Sequence, residues 1–278
     1  MSAHPATART EAPEPVHIGE HLRQWRLRRH LSQLGLAEDA GISTRHLSFV
    51  ETGRAAPSRD MVLKLAEWLQ VPLRERNVLL VAAGFAPAFP QHSLDDPALE
   101  SARAAIDLVL RAHEPNPALA YDRHWNLVSS NRMLKPLLAG VPQRLLTPPV
   151  NIFRVALHPE ALAANTVNIA EWGGHLLERL RRKCETTADP GLIKLYDELK
   201  TYPLPARSAP LPPDSVVIPF KLRFGGDVLS FMSATMIFGT PVDVTLSELA
   251  LETLFPADEF TAEHMRKLAA DLRKVSCS

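Results

Sequence analysis

The stretch QLGLAEDAGISTRHLSFVET, residues 33–52, decides how the first part of the chain folds. Residues 33–40 read as a short helix with Ser32 ahead of it, because a serine hydroxyl at that place accepts from one of the helix's unpaired N–H groups. Gly41 breaks the helix, since glycine takes the left-handed conformation without a Cβ clash. Ile42 packs the turn, and Ser43 caps a second helix over residues 44–51. Ala37 falls where the two helices must cross closely. Leu36, Ile42, Leu47 and Val50 supply buried contacts, whereas Thr44, Arg45, His46 and Ser48 face outward and carry polar groups that reach base edges or phosphates. This is the pattern of a helix-turn-helix, whose second helix enters the DNA major groove.

The flanks extend the pattern. Residues 18–29 place Leu22, Trp25 and Leu27 among Arg23, Arg26, Arg28 and Arg29, an amphipathic helix with a basic face. The second helix ends at Gly53, and Pro57-Ser58 starts another whose apolar face is Met61, Leu65, Trp68 and Leu69. Val71-Pro72 ends that one, and residues 73–83 give a fifth. Five short helices in about seventy residues make a compact all-α module. The order of Gln33, Ala37, Gly41, Ser43, Glu51, Gly53, Arg54, Pro57 and Ser58 resembles the lambda-repressor-like (XRE) family over residues 17–84. The expected DNA-facing set is Gln33, Ser43, Thr44, Arg45, His46, Ser48 and Arg54, with Arg45 and His46 at bases and Gln33 and Arg54 on phosphates.

At 278 residues the chain exceeds one average domain, and 46% hydrophobic content supports real cores. Formal net charge is zero. Residues 1–90 hold eleven Lys and Arg against nine Asp and Glu, so the case for double-stranded DNA rests on the motif, with charge adding little. The two cysteines, Cys184 and Cys277, lack metal-ligand spacing, so neither a metal nor a cofactor is expected. Two thiols in so long a chain suit a reducing cytoplasm. Arg181, Arg182 and Lys183 beside Cys184 would favour a thiolate there, against the simpler reading of a chance thiol on a helix. No apolar run reaches the ~18–20 residues that span a membrane. The opening MSAHPATARTEAPEPV lacks the apolar core of a signal peptide, and residues 1–15 read as a disordered arm.

The reading places the helix-turn-helix domain at 16–85, a proline-containing linker at 86–96, a second domain at 97–260 and a closing helix at 261–278. In the second domain a helix over 97–112 carries Leu99, Ile106, Leu108, Val109 and Leu110. Short strands follow at 118–121 and 125–129. Helices are expected from Asn131, from 151 to 164, over 169–182 and over 191–200, and 201–214 is a proline-rich loop. Strict alternation over 216–224 gives a strand, Gly225-Gly226-Asp227 a hairpin turn, 228–238 the returning strand, and 245–255 a third.

Two strands, a block of helices and three strands resemble a PAS-like sensor fold, an antiparallel sheet with helices over one face. Pro117-Ala118-Leu119, Trp125-Asn126-Leu127, Asn131, Asn151, Phe153, Arg154, Trp172 and Leu254-Phe255-Pro256-Ala257-Asp258 resemble the MmyB-like transcription regulators, in which a lambda-repressor-like domain precedes a PAS-like ligand-binding domain. The segment 201–214 is longer and richer in proline than that pattern. The resemblance implies an all-α five-helix domain followed by an α+β domain, and a hydrophobic or acyl-type small-molecule effector between sheet and helices. Expected lining residues are Trp125, Leu127, Phe153, Trp172, Leu176, Phe220, Phe231, Met232 and Met236, with Asn131, Asn151 and Arg154 as polar anchors. Each apolar one is also what an ordinary core requires. His124, His158 and His175 occur without a GxSxG, HExxH or phosphate-cradling loop, so catalysis is not expected. The competing reading is a second domain that only dimerises or meets a protein partner. A homodimer is expected, with the second domain and the closing helix as its contacts.

Overall fold

The computed structural model describes residues 17–205, 218–239 and 241–276. The expected arm over 1–15, most of the proline-rich loop, the start of the strand expected from Val216, and Cys277 lie outside the described residues. The chain divides after Pro90 into two compact units.

The first unit holds α1 (Ile18–Arg28), α2 (Gln33–Asp39), α3 (Thr44–Glu51), α4 (Arg59–Trp68) and α5 (Leu73–Ala82). Serine starts three of them. The Ser32 hydroxyl accepts from the Gly35 amide at 2.9 Å, Ser43 from His46 at 3.1 Å and Ser58 from Met61 at 3.3 Å. Gly41 takes φ +61° and turns the chain between α2 and α3. Leu22, Trp25, Leu36, Leu47, Val50 and Leu65 fill the core. A Cβ on Gly19 would lie 2.3 Å from the Val50 carbonyl oxygen, so α1 rests directly on the α3 backbone and only glycine admits that approach.

Two apolar faces are narrower than the sequence suggests. Leu27 is exposed, and so is Trp68 at 49%. In α4 the buried stripe is Val62, Leu65, Ala66 and Leu69, spaced i, i+3, i+4 and i+7, which turns Trp68 outward. Arg26, expected on the basic face, is buried instead. Residues expected to open the linker belong to the first unit. Ala88 packs on its core beside Phe85, the last residue of the expected first domain, and the Asn77 side chain donates to the Phe89 carbonyl at 2.7 Å and accepts from the Ala88 amide at 2.9 Å.

The second unit opens with a single 3₁₀ turn and α6 (Glu100–Ala112). Then come β1 (Ala118–Tyr121), β2 (Leu127–Ser130), α7 (Leu134–Leu137), α8 (Ile152–Leu157), α9 (Leu162–Asn165), α10 (Ile169–Thr187) and α11 (Pro190–Leu199). The chain ends with β3 (Phe220–Phe224), β4 (Asp227–Ile237), α12 (Val244–Ser247), β5 (Ala250–Pro256) and α13 (Glu259–Ser276). The five strands form one antiparallel sheet in the order β2-β1-β5-β4-β3, so this is an α+β unit behind an all-α one. Phe224 pairs with Asp227 across Gly225 and Gly226, both at positive φ, which matches the twist of a two-residue hairpin loop.

In α6 Ile106 and Leu110 turn inward; Leu108 is 64% exposed on the opposite side of the helix, and Val109, on the flank of the buried stripe, is exposed to a lesser degree. Residues from Thr245 do not begin a strand, because the Asp243 carboxylate accepts from the Thr245 and Leu246 amides and starts α12. The same carboxylate bonds the His92 imidazole at 2.7 Å, which ties the end of the expected linker into this unit. The closing helix α13 buries Met265 and Ala269 against the sheet, and its Thr261 hydroxyl accepts from the Ser230 amide at 3.0 Å. Its apolar face is therefore engaged inside its own unit.

Candidate functional site

In the first unit α3 presents Thr44, Arg45, His46 and Ser48 at exposed or half-buried positions, one turn after the Ser43 cap. Its inner side carries Leu47 and Val50, both fully buried. Two guanidiniums flank Phe49: that of Arg45 lies 5.3 Å from the ring centroid and that of Arg54 6.0 Å. Phe49 is absent from the sequence reading, although its i+4 spacing from Arg45 put both on one face of a helix. The ring orients both cations along one edge of α3.

The placement of α3 rests on a buried ion pair. Arg26 on α1 donates from Nε and Nη2 to the two carboxylate oxygens of Glu51 at 2.6 and 2.8 Å, and from Nη1 to the Leu31 carbonyl at 2.9 Å. The side chains are 8% and 2% exposed. Hydrogen bonding to Glu51 raises the Arg26 pKa against the opposing effect of burial. Gln33, expected on a phosphate, donates its amide to Glu51 at 2.7 Å and so completes this cluster.

In the second unit the sheet and α7, α8 and α10 bound a cavity of about 420 Å³, within the ~300–1,000 Å³ of small-molecule sites. Of the expected lining residues, Trp125, Leu127, Phe153, Trp172, Leu176 and Phe220 stand in its wall. Trp172 stacks on Phe220 at 4.3 Å and Trp125 meets Phe153 edge-on at 4.6 Å. Phe231 is fully buried among Leu229, Met133 and Met265 and does not line the cavity. Met232 and Met236 lie outside it, the latter 41% exposed, because they alternate along β4 with Ser233, which stands in the wall, and Thr235, which bonds Arg179.

None of the three expected polar anchors reaches the cavity wall. Asn131 donates to the Leu110 and Asn116 carbonyls at 3.0 and 2.8 Å and accepts from the Ala118 amide. Asn151 caps α8 through the Arg154 amide and donates to the His124 carbonyl at 2.8 Å. Arg154 forks onto Glu198, both contacts at 2.7 Å.

The polar groups of the wall are four others: His175, Arg179, Ser233 and Glu252. Arg179 on α10 donates to Glu252 on β5 at 3.2 and 3.0 Å, to the Tyr121 hydroxyl oxygen at 2.7 Å and to the Thr235 hydroxyl oxygen at 2.9 Å. Burial works against the Arg179 charge, yet Glu252 holds its pKa above the ordinary value. One buried donor has no acceptor among the described residues, the indole N–H of Trp125, whose backbone is held at φ +61°. Leaving such a group unpaired costs about 1–3 kcal/mol.

Burial pushes the Tyr121 phenol up to about 12, with Arg179 opposing and Glu252 adding. Burial and a hydrogen bond to Glu198 do the same for Tyr202. A raised pKa stabilises the fold fully below the unfolded value of roughly 10 and loses that stabilisation as pH rises toward the folded value. Ultraviolet titration should find these two phenols ionising near pH 12; both ionising at the ordinary value would contradict this environment. Burial also raises the Cys184 thiol pKa, which disfavours a thiolate and agrees with the simpler reading of a chance thiol on a helix. Among the described residues no cluster of three or more His, Cys, Asp or Glu is placed to hold a metal, and no helix is long and apolar enough to cross a membrane.

Comparison with known proteins gives two family matches. Residues 22–76 match the helix-turn-helix family model, and residues 102–268 match the model described as the MmyB-like transcription regulator ligand binding domain. No curated protein matches the chain. Among solved structures, one of an RNA-binding light-oxygen-voltage receptor is 12% identical with a TM-score of 0.26, covering 91% of this chain and 64% of that one. The chain thus spans under two thirds of that receptor's length. With a helix-turn-helix unit ahead of a ligand-binding unit matched over more than half of its length, the chain belongs to the MmyB-like transcription regulators.

Proposed function

We propose that the chain is a cytoplasmic, sequence-specific DNA-binding regulator whose second unit senses a hydrophobic or acyl-type small molecule. The observation that carries the sensing is the cavity of about 420 Å³, lined mostly by aliphatic and aromatic side chains with few polar groups. A domain that only dimerised would need no such space, since cores pack at crystal density. Trp125, Phe153, Trp172, Leu176 and Phe220 are the proposed ligand contacts.

On the DNA side, Arg45 and His46 read bases, Thr44 and Ser48 meet bases or adjacent phosphates, and Arg54 holds a phosphate. Ser43 fixes the start of the reading helix. Gln33 donates one amide hydrogen to Glu51 and keeps its second amide hydrogen and its oxygen for other contacts. One short helix touches too few bases for operator affinity, so the protein works as a dimer on half-sites about 34–36 Å apart. Sedimentation should show the dimer on operator DNA, and a monomer both free and bound would end that part of the reading.

The sensing role is tested by native mass spectrometry of the purified full chain beside its Ala156→Trp variant. Ala156 lies in the cavity wall, so an indole there occupies the ligand's space. A small molecule should accompany the wild type and be missing from the variant. A wild type that carries and takes up nothing apolar would favour the interaction-module reading.

A further inference from the structure

The polar end of the cavity is electrically complete before any ligand arrives. The two carboxylate oxygens of Glu252 face the two terminal nitrogens of Arg179 at 3.2 and 3.0 Å, a fork that cancels both charges. The Thr235 hydroxyl donates to Glu252 at 3.0 Å while it accepts from Arg179, and Tyr121 joins the same group. The remaining polar wall groups are the Ser233 hydroxyl and the His175 imidazole. A free carboxylate entering here would meet an arginine already neutralised and a glutamate of its own sign. A neutral head has partners on both sides. Its hydroxyl or N–H donates to Glu252, and its oxygen accepts from Arg179, whose Nε carries no hydrogen bond among the described residues. The indole N–H of Trp125, in the same wall and stacked on Tyr121 at 5.9 Å, is a further donor without an acceptor.

Resting on the ligand-sensing reading above, we propose that the ligand of this cavity is an apolar chain with an uncharged hydrogen-bonding head, an alcohol or a primary carboxamide, and that Glu252 selects against the corresponding free acid. Arg179 serves as donor to the head, and Glu252 as acceptor and as the charge that discriminates. Thr235 is exposed, so the cluster borders solvent, and screening limits the discrimination to a moderate factor.

The test titrates the full chain with dodecanol, dodecanamide and dodecanoate at about pH 8, following tryptophan fluorescence. The alcohol and amide should bind about tenfold or more tighter than the acid. In Glu252→Gln the repulsion is gone and Arg179 is released, so dodecanoate should gain and the order should level or invert. The wild-type order decides even where that variant folds poorly. Dodecanoate binding wild type as tightly as the neutral probes, or tighter, overturns this inference and leaves the sensing role standing. Binding of none of the three to wild type, or equal binding to Ala156→Trp, overturns the sensing role and this inference with it.

Discussion

Replacing Arg26 by alanine is expected to destabilise the first unit by about 3–5 kcal/mol, because it strands the buried Glu51 carboxylate with Gln33 as its one side-chain donor. Domains have only about 5–15 kcal/mol in total, so the unit would approach its unfolding threshold. The pair bridges α1 to the last residue of α3, and Gly19 brings the same two helices into backbone contact. Loss of Arg26 therefore loosens the helix that presents Arg45. Arg26→Lys should recover little, since an ammonium cannot make the two parallel bonds at 2.6 and 2.8 Å or hold the Leu31 carbonyl as well. The double replacement Arg26→Met with Glu51→Leu should restore most of the stability, because neither charge is then left unpaired. Urea unfolding followed by helical circular dichroism measures all three. A single Arg26→Ala variant within about 1 kcal/mol of wild type would show that the pair lies closer to solvent than described.

Replacing Arg45 by alanine is expected to weaken operator binding by about 1–3 kcal/mol and to relax the preference at one base position. Arg54→Ala should weaken binding to every sequence alike and flatten the salt dependence, the behaviour of a phosphate contact. Phe49→Ala separates orientation from contact. It removes the ring beneath both guanidiniums but leaves both charges, so it should lower specificity more than it lowers affinity for unrelated DNA. Binding titrations on operator and on scrambled DNA at two salt concentrations distinguish the three. Unchanged operator affinity in Arg45→Ala would mean that another segment reads the bases.

The helix pair over residues 33–51 was legible because local signals decide it. Ser32, Ser43 and Gly41 each act within three residues, and each took the cap or turn its chemistry implies. The order of strands and helices in the second unit was legible for the same reason. The ion pair of Arg26 and Glu51 was not, since charges 25 residues apart read as solvated until the fold brings them together. Trp68 was placed on the apolar face on hydrophobicity, but a helix buries one stripe, and neighbours of that stripe turn outward. At Thr245 the composition suggests a strand, and a single aspartate cap at Asp243 overrides it. The aromatic wall of the cavity was readable from residue type. Its polar end was not, because Arg179 and Glu252 lie 73 residues apart on a helix and a strand. Asn131, Asn151 and Arg154 had the right chemistry for anchors, and nearby backbone or Glu198 claims each of them first.

A ligand changes operator affinity only to the extent that it binds two states of the protein differently, and such coupling is typically about 1–3 kcal/mol. The direct measurement is the dissociation constant for an operator fragment, selected from a random DNA pool, with and without the molecule released from the cavity. Wild type should show a shift of roughly 5–150-fold in either direction, and Ala156→Trp should hold one fixed affinity whatever is added. An operator affinity that is the same with the cavity filled and empty, while mass spectrometry shows the molecule bound, would contradict the account.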